Sequence, residues 1–250
     1  MRIDVFFGGQ SIAPADVAGR VVVIIDVLRA STSIAAALAN GARAVIPLET
    51  SEEVVTRAKA FERGDVKLAG ERKMLAISGF DLGNSPKEFT REAVEGKTVV
   101  MTTTNGTPAI MNTAGARDVV IASYVNYTAI LAMLRTALRG GTDVTIVCAG
   151  RERQFALEDA GCAGRYVFNA SKRLGNATLE LNDAAQACSL IDRKYGDQLT
   201  KLFEASEHGR ALKEAGFGDD LIACAAIDSY PVIPVYQDRQ ITKLGPERER

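Results

Sequence analysis

Runs of apolar residues recur along this chain with helical patterns between them, and the run Val21–Ile25 sets the frame for the rest. Five consecutive β-branched residues are stiff at χ1 and suit a strand buried on both faces. The Ala/Leu-rich stretch after Ser33 suits a helix that stops at Asn40-Gly41. Asp26 therefore falls where a strand ends and a helix is about to begin. Further strands are expected at Ala44–Leu48, Val66–Ala69, Lys97–Met101, Asp118–Ala122 and Asp143–Cys148. Helices are expected from a Ser51 cap to Phe61, from Ser123 through Arg139, and over Glu158 to His208 with breaks near Gly175-Asn176 and Gly196-Asp197. Ser85, Pro86 and Glu88 have the spacing of a capped helix start. Asp220–Ile227 reads as strand or short helix, Val232–Tyr236 with its Pro234 as an edge strand, and Pro246–Arg250 as a frayed tail.

This alternation predicts an α/β fold: a mostly parallel or mixed sheet with helices on both faces. A single domain over 1–250 is expected, with a division into two lobes, about 1–145 and 146–250, as the alternative. Thirty basic against thirty-one acidic residues give a net charge of −1, without the basic footprint of a nucleic-acid binder. No apolar run approaches the ~20 residues of a bilayer span and no secretory segment opens the chain, so a cytoplasmic protein without a membrane partner is expected. Cys148, Cys162, Cys188 and Cys224 form no CxxC pair and read as reduced, mostly buried thiols. His208 is the only histidine, which argues against two-histidine phosphatases and His-rich dinuclear sites and leaves any Ser-His-Asp arrangement dependent on this one residue. A bound metal would then have oxygen ligands and be Mg²⁺. His208 itself reads as an exposed helix end or break, with a catalytic role as the lesser reading.

Strand ends and loops carry the candidate chemistry: Asp26 with Arg29, Ser31 and Thr32; Glu71 with Arg72; Asp81 with Asn84; Thr102 to Asn105; and Arg151 with Glu158 and Asp159. Each has a plain structural explanation as a cap, a surface pair or a strand-end threonine. Together they carry more weight, because a parallel sheet brings its strand ends to one edge, where acids, arginines and hydroxyls suit a phosphorylated substrate with Mg²⁺. Common phosphatase and nucleotide devices are absent. The position six after Cys148 is Gln154, and six after Cys162 is Phe168, where a cysteine phosphatase needs arginine. Leu28 stands where a haloacid-dehalogenase-type enzyme has its second aspartate, and neither Walker A nor GxGxxG occurs.

Read together, Asp26-Val27-Leu28-Arg29-Ala30-Ser31-Thr32, Gly70-Glu71-Arg72, Phe80-Asp81-Leu82-Gly83-Asn84-Ser85-Pro86, Thr102-Thr103-Thr104-Asn105-Gly106-Thr107, and Cys148-Ala149-Gly150 with Leu157-Glu158-Asp159 and Cys162-Ala163-Gly164 resemble the 2-phosphosulfolactate phosphatase family. The resemblance implies an α/β protein that hydrolyses (R)-2-phospho-3-sulfolactate to 3-sulfolactate and phosphate with Mg²⁺, on the way to coenzyme M. It implies catalytic work by Asp26, Asn105, Arg151 and Asp159. The metal contacts come from a pool of Asp26, Glu71, Asp81, Glu158 and Asp159, while Arg29, Arg72, Ser31, Thr32, Thr103 and Thr104 hold the anionic groups. Direct attack by a positioned water is preferred to an aspartyl phosphate on Asp26. The charged run Arg151-Glu152-Arg153-Gln154 departs from the small turn expected there and leaves open another small phosphorylated acid as substrate. A non-catalytic binder of organophosphate or sulfonate is the competing class, and a homo-oligomer is compatible with either.

Overall fold

The computed structural model describes residues 1–8, 12–152, 154–172 and 178–245. The expected break at Gly175-Asn176, Arg153 of the charged run and the expected frayed tail Pro246–Arg250 lie outside the described residues. Among the described residues eleven strands form one sheet: β1 Arg2–Phe7, β2 Val21–Ile25, β3 Ala44–Pro47, β4 Val66–Arg72, β5 Leu75–Ala76, β6 Thr98–Thr102, β7 Asp118–Ala122, β8 Val144–Cys148, β9 Glu180–Leu181, β10 Pro234–Gln237 and β11 Gln240–Lys243. Their order across the sheet is β5-β4-β6-β3-β11-β10-β7-β2-β8-β1-β9. The expected α/β architecture is present, and the sheet is mixed.

Two parallel blocks are joined by a hairpin. β4, β6 and β3 run parallel to one another, as do β7, β2, β8, β1 and β9. Between the blocks, β3/β11, β11/β10 and β10/β7 are all antiparallel. Three reversals in succession mean that the blocks run in opposite senses along the hydrogen-bonded order. In a flat sheet their carboxyl ends would lie on opposite edges. The hairpin is held by one residue pair on each side, Val235 with Val120 and Ile241 with Val45, so the sheet can turn sharply there. Pro234 thus begins an interior strand rather than the expected edge strand. It is tolerated because it is the first residue of β10, where no ladder donor is lost.

Alternation along β2 divides the interior. Val22 and Ile24 share a core with Val45 and Val99 of the other block and Ile241 of the hairpin, whereas Val21, Val23 and Ile25 face the helices Tyr127–Arg139 and Leu157–Ser171. The helix Ala30–Ala39 packs against β3, β7, β10 and β11, on the concave side of the bend. Its residues Ala30 to Leu38 are all buried, and the run Ala35–Ala37 lets the backbone approach closely. A smaller core of Ile46, Val54, Val66 and Val100 backs the lesser block.

Two local readings are corrected. The Ser85 start leads only to the single 3₁₀ turn Pro86–Glu88, since Ser85 gives its hydroxyl to Asp220 while Glu88 accepts the N–H groups of Gly83 and Ser85. Thr50, not Ser51, caps the helix Ser51–Ala58 by accepting the Glu53 N–H. The segment Gly218–Cys224 is a helix. All four cysteines are free and buried, and burial raises the Cys148 and Cys162 thiols well above their usual range, which marks packing groups rather than nucleophiles. A Cβ on Gly164 would collide with the Cys188 carbonyl, so the small residues around Cys162 serve close helix contact. Among the described residues no helix is long and apolar enough to cross a membrane.

Candidate active site

The carboxyl ends of β2, β8, β4 and β6 converge on one cavity of about 260 Å³. Asp26, Arg29 and Arg151 line it from the larger block, and Glu71, Lys73, Thr103, Thr104 and Asn105 from the smaller. Leu28, Met74, Asn84, Glu152 and His208 complete the wall.

Asp26 sits just past β2 and caps the helix behind it: its Oδ1 accepts the Ala30 N–H at 3.2 Å, and its own N–H donates to Ser31 Oγ at 2.9 Å. The turn between them contains a cis peptide at Leu28–Arg29. Among the described residues nothing donates to Oδ2. A Cβ placed on Gly106 would stand 2.8 Å from that oxygen, so glycine there keeps the space beside the carboxylate open. Burial pushes the Asp26 carboxyl up to about 6; the His208 charge and the Ala30 N–H oppose the shift, and the Glu71 and Glu158 charges add to it.

The other acids are committed to different degrees. Glu71 Oε1 accepts the Thr104 N–H at 2.8 Å and Oε2 the Met74 N–H at 2.9 Å, which fixes both turns of the smaller block. Asp159 accepts the Val27 N–H at 2.8 Å and the Gly150 N–H at 3.0 Å, and so clamps the ends of β2 and β8 together. Burial, reinforced by the Glu158 and Asp26 charges, holds the Asp159 carboxyl well above the usual range. Glu158 Oε1 meets His208 Nδ1 at 3.1 Å, and among the described residues its buried Oε2 has no partner. Asp81 is not in the cavity: its side chain is 39% exposed and holds the Leu68 N–H and the Lys67 ammonium.

Arg29 is held from three sides. It donates to Asp220 Oδ2 and to the Met74 carbonyl, each at 2.7 Å, and lies over the Phe217 ring at 4.3 Å. Arg151 pairs with Glu207 at 2.7 Å. Arg72 is outside the cavity lining and binds the Glu49 and Glu71 carbonyls and Thr102. The hydroxyls of Ser31 and Thr32 are used internally, Thr32 bonding the Val27 carbonyl and Ser123. Thr103 bonds Thr107, and Asn105 Oδ1 accepts the Glu152 N–H, which ties the charged loop to the end of β6.

Lys73 and Asp220 are residues sequence reasoning missed, and His208 is one whose catalytic role it ranked second. His208 is not an exposed helix end: its side chain is 11% exposed, in the first turn of the helix Glu207–Glu214. Its one signal was that the chain has no other histidine.

Comparison with known proteins bears on the same residues. The 2-phosphosulpholactate phosphatase family profile matches residues 9–239. A probable 2-phosphosulfolactate phosphatase of Symbiobacterium thermophilum is 41% identical over 238 residues, covering 94% of this chain and 99% of that protein. A similarly named protein of Clostridium beijerinckii is 38% identical over 97% of this chain and 99% of its own length. Another, of Pseudothermotoga lettingae, is 36% identical over 98% and 100%. The chain belongs to the 2-phosphosulpholactate phosphatase family, and with it to the phosphoric monoester hydrolases.

Proposed function

We propose that the protein hydrolyses (R)-2-phospho-3-sulfolactate to 3-sulfolactate and phosphate, with Mg²⁺, in the cytoplasm and toward coenzyme M. The observation that carries this reading is the free Oδ2 of Asp26, buried in a cavity that also presents Arg29, Lys73 and Arg151. A cavity built only to bind anions gains nothing from burying a carboxylate beside its ligand.

The donor set fits Mg²⁺. Asp26 and Glu71 offer hard oxygens to the cavity, and each Glu71 oxygen retains a lone-pair site beyond the N–H it accepts. Among the described residues no three His, Cys, Asp or Glu side chains form a ready cage, which suits an ion completed by waters and phosphate oxygens. When bound, Mg²⁺ offsets phosphate charge and orients a water for in-line attack. The chain's own residues do the rest. Arg29, already fixed by Asp220, Met74 and Phe217, presents an oriented guanidinium to a carboxylate or sulfonate. Lys73 and Arg151 supply further positive charge at the rim, and Thr104 and Asn105 line the wall between them.

The test is phosphate release from 2-phosphosulfolactate, 2-phospholactate and phosphoglycerate, each with Mg²⁺ and with EDTA. Metal-dependent release that favours the sulfonate is the expected outcome. One observation favours a less charged phosphorylated acid: Glu152 joins Arg151 in the wall and would repel a third anionic group. Preference for 2-phospholactate would establish that second reading, and no release from any of the three would remove both.

A further inference from the structure

We propose that His208 donates the proton taken up by the departing alcohol, and that Glu158 holds the ring in the orientation this requires. The inference rests on the hydrolase reading above. A phosphate ester of an aliphatic alcohol leaves as a strongly basic alkoxide, so its departure is slow unless a donor reaches the ester oxygen. Arginine does not give up its proton in proteins, and Glu71 is occupied by two backbone N–H groups. With Asp26 assigned to Mg²⁺ on that reading, His208 is the remaining cavity-lining side chain suited by type to move a proton near neutral pH.

The placement of the pair supports the role. Glu158 is 1% exposed, in the first turn of the fifteen-residue helix Leu157–Ser171, where the N-terminal dipole favours a carboxylate. A carboxylate only accepts, so His208 Nδ1 carries the hydrogen of the 3.1 Å contact. The ring plane is thereby set; in the donor form the ring is the imidazolium, with Nδ1–H on Glu158 and the second hydrogen on Nε2, which among the described residues has no protein partner while the ring lines the cavity. Glu158 is a positioning residue; His208 acts on the reacting atoms.

In the step itself, the oxygen of the attacking water bonds to phosphorus as the bond from phosphorus to the ester oxygen breaks. The electron pair of the broken bond stays on the ester oxygen, which takes the proton from Nε2. One water hydrogen remains on the product phosphate, the other is released, and the ring takes a proton back from solvent. One water is consumed and no other reactant is needed.

Leaving-group dependence separates this role from a packing role. 2-Phospholactate and its 3,3,3-trifluoro analogue carry the same two anionic groups, but the fluorinated alkoxide is far less basic and departs without a donor. His208→Gln is expected to lower kcat on 2-phospholactate roughly 10²- to 10³-fold and on the trifluoro ester less than about tenfold, with KM within about threefold for both. Glu158→Gln, whose carbonyl still accepts from Nδ1, is expected to lose less than Glu158→Leu and to show the same bias between esters. Equal losses on the two esters, or none, would overturn the assignment. Should thermal melting show that His208→Gln does not fold, His208→Asn takes its place in the same comparison. Wild-type protein inactive on both esters with Mg²⁺ would instead sink the hydrolase reading, and this proposal with it.

Discussion

In the larger block, the ends of β2 and β8 are clamped by a side chain, Asp159, which accepts one N–H from each. The smaller block is fixed the other way: Glu71 accepts N–H groups from its own turn and from the end of β6. Each block thus uses one carboxylate as a strut, and the larger adds a second, Asp26, with one oxygen left over. Strut and reagent are the same residue type at similar strand ends. What separates them is how many oxygens the backbone has already claimed.

Asp26→Asn tests this most severely. Phosphate release should fall about 10³-fold, while stability should rise at alkaline pH. Burial holds the folded carboxyl near 6 against 3.8 for the free side chain, so the folded state keeps the proton more readily than the unfolded one. The folded state is therefore favoured most below pH 4, and this advantage is lost as pH rises toward 6 and beyond. Asparagine escapes that loss and should gain up to ~3 kcal/mol at pH 8 and nothing at pH 4. Urea titrations of both proteins at the two pH values read the difference directly.

Gly106→Ala probes the seam between the blocks. The new methyl would lie 2.7 Å from the Ala30 Cβ and 2.8 Å from Asp26 Oδ2. A loss of about 1–3 kcal/mol in stability is expected, together with a fall in kcat that exceeds the change in KM. The smallest effect should come from Asp81→Asn in the smaller block. Asparagine still accepts the Leu68 N–H, and the half-exposed pair with Lys67 is worth less than about 1 kcal/mol. Turnover within about twofold of wild type is expected; a large loss would return Asp81 to the metal set.

Much of the frame was legible in the sequence. The β-branched run before Asp26, and the strands at 98–102, 118–122 and 144–148, declared themselves because strands buried on both faces carry uninterrupted apolar runs. The meeting of strand ends was also anticipated, though for an incomplete reason: a mostly parallel or mixed sheet was expected to bring its strand ends to one edge, whereas here the ends come from two opposed parallel blocks. Nothing in residues 234–243 announces an interior hairpin, because Pro234 argues for an edge unless its neighbours are known. The contacts of His208 and Asp220 escaped because their partners, Glu158 and Arg29, lie 50 and 191 positions away. The use of Ser85 by Asp220 was hidden for the same reason, since a cap is a local pattern and this contact is not.

The hairpin has one further consequence, for the timing of assembly. It is central in space but formed by the last strands in chain order. During synthesis, residues 44–102 and the strands of the larger block emerge long before the piece that joins them. Until residue 243 has left the ribosome the two parallel blocks have no strand ladder joining them, and β3 and β7 both expose edges able to pair with another chain. The growing protein therefore spends most of its synthesis with two open sheet edges, and both close together when the hairpin docks.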